Sequence, residues 1–240
     1  MLGPFQVVKP PLTLRPKAAA QGGAEATGPV AWWKLDESSG ATATSAAGTN
    51  LTAQLHGQPR WAPDQGRLAG ALEFDGAANW LECPESRDLN PGDRFSVTVW
   101  FKARTEARAG DTLLAKGGAW QLVHRPGDKP ELELVLTGPQ PGSKVKGPLP
   151  RTLCPAPTDG QWHHVAGVYD GAKAVLYLDG QEKSSVAVSG PIAWNNLPVS
   201  FGANVAHRGR LWSGWLDDAR LYARALRAEE VKALQAGDTK

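Results

Sequence analysis

Phe95-Ser96-Val97-Thr98-Val99-Trp100-Phe101 is the stretch from which the fold is read. Phe95, Val97, Val99 and Phe101 fall on one face, and Ser96, Thr98 and Trp100 on the other. A side-chain period of two belongs to a strand with one face against a core. Similar short runs lie on both sides, each closed by turn residues. Upstream are Val30 to Leu35, ended by Asp36-Glu37-Ser38-Ser39-Gly40, then Ala71 to Phe74, ended by Asp75-Gly76, and Asn79 to Cys83, ended by Pro84. The short gap between the last two predicts a hairpin. Downstream, Asp111 to Ala115 and Trp120 to His124 are joined through Gly117-Gly118, and Glu131 to Leu136 puts Leu132, Leu134 and Leu136 on one face. Thr137 to Pro150 is rich in Pro and Gly and reads as a surface loop. Trp162 to Tyr169 and Ala174 to Leu178 are joined at Asp170 to Lys173, and the second ends at Asp179-Gly180. Val199 to Gly202 and Gly214 to Tyr222 complete the strands. Ala225 to Ala236 is the single credible helix, with apolar Leu226, Val231 and Leu234 and a stop at Gly237. A dozen or so short strands, with turns roughly every 8 to 12 residues, specify an all-β sandwich.

Composition bounds the class. The 240 residues are 41% hydrophobic and 21% charged, which excludes a chain disordered along most of its length. At this size roughly 70% of the unfolded surface can be buried, so a core forms without a metal or disulfide staple. Gly 27 and Pro 19 make turns frequent and long helices improbable, consistent with the strand pattern. Lys and Arg number 26 against 24 Asp and Glu, a net +2 that excludes a nucleic-acid footprint by charge alone. No apolar run approaches the roughly 18 residues of a membrane span. The 10 Trp fit both a sandwich core and a sugar-binding face, so their number alone does not choose between them.

The first residues read differently. Met1 to Pro16 is interrupted by Pro and lacks the charged segment and apolar core of a secretory signal. Lys17 to Pro29 is small, polar and rich in Gly and Ala, as a flexible linker is. Residues 1–28 are therefore expected to be an extended arm and linker and 29–240 the domain, a module joined to other domains of a larger protein. Cys83 and Cys154 are the two cysteines, and neither has a metal-ligand spacing. A disulfide between them would close a loop of about 70 residues and contribute roughly 4 kcal/mol; the alternative is two buried thiols.

The ordered set of motifs resembles the laminin G-like subgroup of the concanavalin A-like jelly rolls, common in bacterial extracellular proteins. The matching stretches are Trp33-Lys34-Leu35-Asp36-Glu37-Ser38-Ser39-Gly40, Ala71-Leu72-Glu73-Phe74-Asp75-Gly76, Phe95 to Phe101, and Leu114-Ala115-Lys116-Gly117. Asp159-Gly160-Gln161-Trp162-His163-His164-Val165-Ala166 and Val175-Leu176-Tyr177-Leu178-Asp179-Gly180 follow. The series closes with Gly214-Trp215-Leu216-Asp217-Asp218-Ala219-Arg220-Leu221-Tyr222-Ala223-Arg224-Ala225-Leu226, and Glu229-Glu230 opens the last helix. The resemblance implies two antiparallel sheets packed face to face, one of them concave, and an extracellular, cell-surface or periplasmic setting. It does not choose among lectins, adhesion modules and glycoside hydrolases.

Candidate sites follow. Hydrolases of this architecture place two carboxylates on one strand as Glu-x-Asp-x-Glu or Glu-x-Asp-x-x-Glu, and neither pattern occurs; Glu131 and Glu133 share a strand face but read as a solvated outer surface. No G-x-S-x-G or H-E-x-x-H is present, so the chain is read as not an enzyme. His163 and His164, adjacent on a strand, point to opposite faces and cannot share one ion. The resemblance implies a possible structural calcium, Ca2+, where the loop after the first strand meets the last, with Asp36, Glu37, Asp75 and Asp218 as ligands by position. Against this, the Asp-x-x-Gly turn usual in the family is replaced by Thr44-Ser45-Ala46-Ala47-Gly48, and the carboxylates could instead cap turns or pair with Arg220. For a sugar ligand, Trp120 and Trp194, each beside a turn, are the first candidates, with Asn195 and Asn196 adding amides and Trp212 third. Core packing is the competing reading for each Trp and the favoured one for Trp33, Trp100 and Trp162; Trp80 is left unplaced. The expectation is a non-catalytic module recognising carbohydrate or a glycosylated surface, with a spacer or protein-interaction module as the alternative.

Overall fold

The computed structural model describes residues 27–48, 51–90, 92–104, 112–137, 151–188, 190, 192, 195–205 and 211–237. In chain order these form β1 (Ala31–Trp33), β2 (Thr42–Thr44), β3 (Thr52–His56), β4 (Arg60–Ala62), β5 (Ala71–Asp75), β6 (Trp80–Cys83), β7 (Phe95–Ala103) and β8 (Thr112–Lys116). Then come β9 (Trp120–Arg125), β10 (Glu131–Leu136), β11 (Thr152–Pro155), β12 (His163–Tyr169), β13 (Lys173–Leu178), β14 (Gln181–Ala187), β15 (Val199–Phe201), β16 (Ser213–Tyr222) and helix α1 (Ala228–Gln235). One sheet runs β14-β13-β12-β7-β16-β5-β4, with β1 also paired to β16; the other runs β11-β10-β9-β8-β15-β6-β3-β2. All pairings are antiparallel, and the two sheets make the expected jelly-roll sandwich.

The inward rows pack into one core. Phe95, Val97, Val99 and Phe101 of β7 meet Leu122, Leu132, Leu134 and Phe201 of the opposite sheet, and Trp33 sets its ring edge-on to Phe201 at 4.9 Å. Gly202 has φ +72°, and a Cβ there would lie 2.6 Å from the Phe74 ring, so conformation and packing both demand glycine. A second cluster joins Leu226, Val231 and Leu234 to Ala166, Val168, Tyr177 and Tyr222, which docks α1 on the outer face of the first sheet. The helix begins later than the apolar spacing suggests, because Glu230 accepts a hydrogen bond from the Arg227 backbone N–H and makes Arg227 the cap.

Three expectations change. Ala71–Asp75 and Trp80–Cys83 are not a hairpin: β5 pairs with β16 and β4, whereas β6 pairs with β15 and β3. Asp75 accepts from the N–H groups of Ala77 and Ala78, and the turn carries the chain from one sheet to the other. The two cysteines are free and buried. Cys83 on β6 and Cys154 on β11 lie five strands apart in one sheet, roughly 24 Å at the usual spacing and far beyond disulfide reach. Third, β2, β3, β4, β11 and β14 add strands that the turn punctuation did not mark. The loop expected over 137–150 lies outside the described residues beyond Thr137, as does the arm 1–26.

Candidate functional site

Two of the three tryptophans considered for a ligand, Trp120 and Trp212, are core residues. Trp120 is 1% exposed with its ring 5.8 Å from that of Phe95, and Trp212 is fully buried between Phe101 and His124. Trp120 on β9 and Trp212 just before β16 both join the core cluster, so neither can stack on a sugar. Asn195 is a strap: its amide donates to the Gly117 carbonyl, and its side-chain oxygen accepts from the Leu197 N–H. The Lys116 ammonium, itself buried, donates to the Leu197 carbonyl on the same strap, and burial pushes its pKa down to about 8. Asn196 is exposed, and Trp194 lies outside the described residues. Trp33 and Trp100 are buried as expected, whereas Trp162 is half-buried.

The four candidate calcium ligands do not assemble into a cage. Asp36 accepts from the Gly70 N–H at 2.9 Å, Glu37 from the Thr44 N–H at 3.0 Å, and Asp75 caps its own turn. Both oxygens of Asp218 face the Arg220 guanidinium, and Oδ1 also accepts from the Trp32 indole. Calcium takes six to eight oxygens, and among the described residues no group of three His, Cys, Asp or Glu side chains is arranged to hold a metal ion. Asp36 and Asp218 do line one cavity of about 100 Å³ with Trp32, Lys34, Leu68 and Asp217. Asp217 is 1% exposed there. Its Oδ2 accepts from the N–H groups of Arg67 and Leu68, and its Oδ1 has no partner among the described residues. Burial, reinforced by the charges of Asp218 and Asp36, pushes its pKa up to about 7.

Glu131 and Glu133 do sit on one face, but Glu133 is buried rather than solvated, ion-paired to Arg125 and Arg151. Burial opposes its ionisation, yet the two guanidiniums hold the carboxyl below its ordinary range. A general acid must carry a proton near neutral pH, and this group does not. The two histidines point oppositely, as expected. His164 is buried on Trp100, where burial and then Arg220 push its pKa down to about 3. His163 bridges Asp179 at 2.8 Å and Asp159 at 3.0 Å.

The outer face of the second sheet carries a group of residues that no sequence motif marks. Leu81 and Cys83 point into the core, so Trp80 and Glu82 point out; Ala53 and Leu55 likewise point in, leaving Gln54 and His56 outside. Register then pairs His56 with Trp80 and aligns Thr42, Gln54, Glu82 and Ser200 in one row. The His56 and Trp80 rings stack at 4.8 Å with planes 5° apart, and the Trp80 indole donates to Glu82 at 3.4 Å. Trp80, His56 and Glu82 are half-buried, and Gln54 and Thr42 are exposed. An aromatic slab beside carboxylate, amide and hydroxyl groups suits a sugar, whose C–H face stacks on a ring while its hydroxyls hydrogen-bond alongside. The alternation Trp80-Leu81-Glu82-Cys83 carried this signal, but the partner strand bearing His56 had gone unmarked.

The family model described as the concanavalin A-like lectin/glucanases superfamily, Laminin_G_3, matches residues 75–232. No curated protein matches the chain in sequence. Among solved structures, the chain is similar to domain 4 of AbnA, a GH43 extracellular arabinanase from Geobacillus stearothermophilus, in complex with arabinotriose. The identity is 21% and the TM-score 0.63, with 88% of this chain and 100% of that chain covered. It is also similar to the binding domain of Paraclostridial Mosquitocidal Protein 1, with 14% identity, a TM-score of 0.66, and 88% and 52% covered. The binding domain of botulinum neurotoxin DC, in complex with SialylT, gives 12% identity, a TM-score of 0.63, and 88% and 52% covered. The chain thus spans about half of each toxin binding domain, and at these identities the likeness is one of fold.

Proposed function

This chain belongs to the concanavalin A-like lectin/glucanase superfamily, and from that premise we propose that it is a non-catalytic module that binds carbohydrate through the outer face of its second sheet, within a larger extracellular protein. The observation that carries this reading is the His56–Trp80 slab, stacked at 4.8 Å on a sheet face bordered by Glu82, Gln54 and Thr42. The carbohydrate named with the arabinanase domain and the SialylT named with the neurotoxin domain support a sugar as the class of ligand. Binding without hydrolysis is favoured by Glu133, whose carboxyl is held ionised by Arg125 and Arg151.

The test is a glycan array followed by titration of the best ligand against the wild type, Trp80→Ala and His56→Ala, with circular dichroism to establish that the variants fold. Loss of at least about tenfold in affinity, the equivalent of 1.4 kcal/mol, is expected for Trp80→Ala. A wild-type protein silent across the array, or affinity unchanged in both variants, would overturn the reading and leave a rigid spacer.

A further inference from the structure

The outer face of the first sheet has a different chemistry from that of the second. One row crosses four strands as Arg60, Glu73, Trp215 and Lys102, and the next sets Asp217 opposite Trp100. Trp32 lies opposite Arg220 at the β1 edge. Each ring is covered by cations: Lys102 at 5.3 Å and Arg104 at 4.6 Å over Trp215, Arg67 at 4.8 Å over Trp100, and Lys34 at 4.8 Å and Arg220 at 4.3 Å over Trp32.

Cations and carboxylates on this face differ in depth. Lys34, Arg60, Arg67 and Arg104 are exposed and Lys102 is half-buried. Glu73, Asp217 and Asp218 are buried and already engaged, Glu73 by Arg60 and Arg104, Asp217 by backbone N–H groups, and Asp218 by Arg220. Two exposed carboxylates border this face, Asp36 at the rim beside Lys34 and Asp75 at the end of β5, against four exposed cations and the half-buried Lys102. Solvent therefore meets a strip of positive charge about 14 Å wide from Arg60 to Lys102 at ordinary strand spacing. Stacking on indole rings restrains the long side chains before any partner arrives, which lowers the entropy lost on binding.

We propose that this face binds an acidic polysaccharide, with Lys34, Arg60, Arg67, Lys102 and Arg104 pairing with its carboxylate or sulfate groups. A sheet face with separated cations suits an extended polymer with repeated charges rather than one small anion. The cavity at the β1 edge sets Lys34 among Asp36, Asp217 and Asp218, so it is not a dedicated pocket for a small anion. Single-stranded nucleic acid is held by bases stacked on open ring faces, and the rings here carry Lys or Arg instead. The face is separate from the Trp80 slab, and the inference does not depend on that reading.

The experiment measures binding of the whole chain to polygalacturonate and to dextran sulfate, with neutral dextran as a blank, at several salt concentrations. Retention near 0.05 M salt and release within a few tenths molar is expected, since exposed charges are screened over about 10 Å at 0.1 M. The variant Lys34→Gln, Arg67→Gln, Lys102→Gln is expected to lose at least about tenfold in affinity. Arg60 and Arg104 stay in place because they hold Glu73. A matched variant, Arg87→Gln, Lys129→Gln, Lys183→Gln, removes equal charge from exposed positions away from the strip and is expected to bind within about twofold of wild type. Equal loss in both triple variants would reduce the effect to net charge and overturn the proposal. So would no binding to either polyanion, or tighter binding to oligothymidylate or to phosphatidylserine vesicles.

Discussion

Arg220 and Asp218 close on each other two residues apart in one strand, with Nη2 3.0 Å from Oδ2 and side chains 2% and 4% exposed. The register of β16 against β7 shifts between Asp217 and Arg220, and Asp218 has φ 51°, so a bulge turns both side chains to one side. Removing one member strands a buried charge. Arg220→Ala is expected to cost roughly 3–5 kcal/mol, and Arg220→Ala with Asp218→Asn distinctly less, measured by urea unfolding.

Asp217 makes stability fall as pH rises. Its folded pKa is about 7 against an ordinary 3.8, so between those values the folded state holds a proton that the unfolded chain has released. The linkage is on the order of 4 kcal/mol across that window. Asp217→Asn keeps an oxygen for the N–H groups of Arg67 and Leu68 but cannot ionise. Unfolding at pH 4, 6 and 8 is expected to show a flatter profile for the variant and a gain over wild type at pH 8.

His163 has its pKa raised: burial opposes the charged form, but Asp179 and Asp159 outweigh it. Its contribution is full below about pH 6.5, the unfolded value, and is lost as pH rises through the folded value. NMR titration of the ring should place that value above 6.5, and His163→Gln should remove the corresponding part of the pH dependence of Tm.

Because Cys83 and Cys154 sit on separate strands with burial raising both thiols to about 11, the domain is expected to be indifferent to reductant. Tm with and without dithiothreitol should agree within about a degree, where a lost disulfide would cost roughly 4 kcal/mol. Thiol reagents should label both residues after unfolding and neither at an appreciable rate before it.

Calcium is expected to leave Tm unchanged at millimolar concentration, because Asp218 is committed to Arg220 and Asp75 to its turn. A ligand bound only by the native state would raise stability by RT ln(1 + [L]/Kd), so a rise of several degrees over EDTA would show a site built from other groups.

Much of the sandwich could be read directly from residue order, since strands such as Phe95–Ala103 set an apolar row against the core and alternate accordingly, although Ser96, Thr98 and Trp100 on the other face are buried as well. The exposed edge strand Gln181–Ala187 has little apolar patterning to mark it, and three-residue strands such as Arg60–Ala62 are shorter than a period test can resolve. The Asp75-Gly76 turn carried a hairpin signature, but local turn chemistry does not say whether the next strand joins the same sheet. Trp120 misled for a related reason: proximity to the turn at Gly117–Gly118 says nothing about which face the ring takes, and its partner Leu136 settles that face inward. Trp80 acquires a neighbour only through the pairing with His56, a contact between strands that no single stretch of sequence contains.

The position of β16 has a consequence for biosynthesis. This strand fills the centre of its sheet, between β5 and β7 and beside β1, although its partners are made roughly 110 to 180 residues earlier. Until residues 213–222 leave the ribosome, β5 and β7 present open edges and the core lacks Leu216, Ala219 and Leu221. The domain must therefore close in one late step rather than strand by strand, and a nascent chain stalled short of Tyr222 would expose the edges that strand-to-strand aggregation uses.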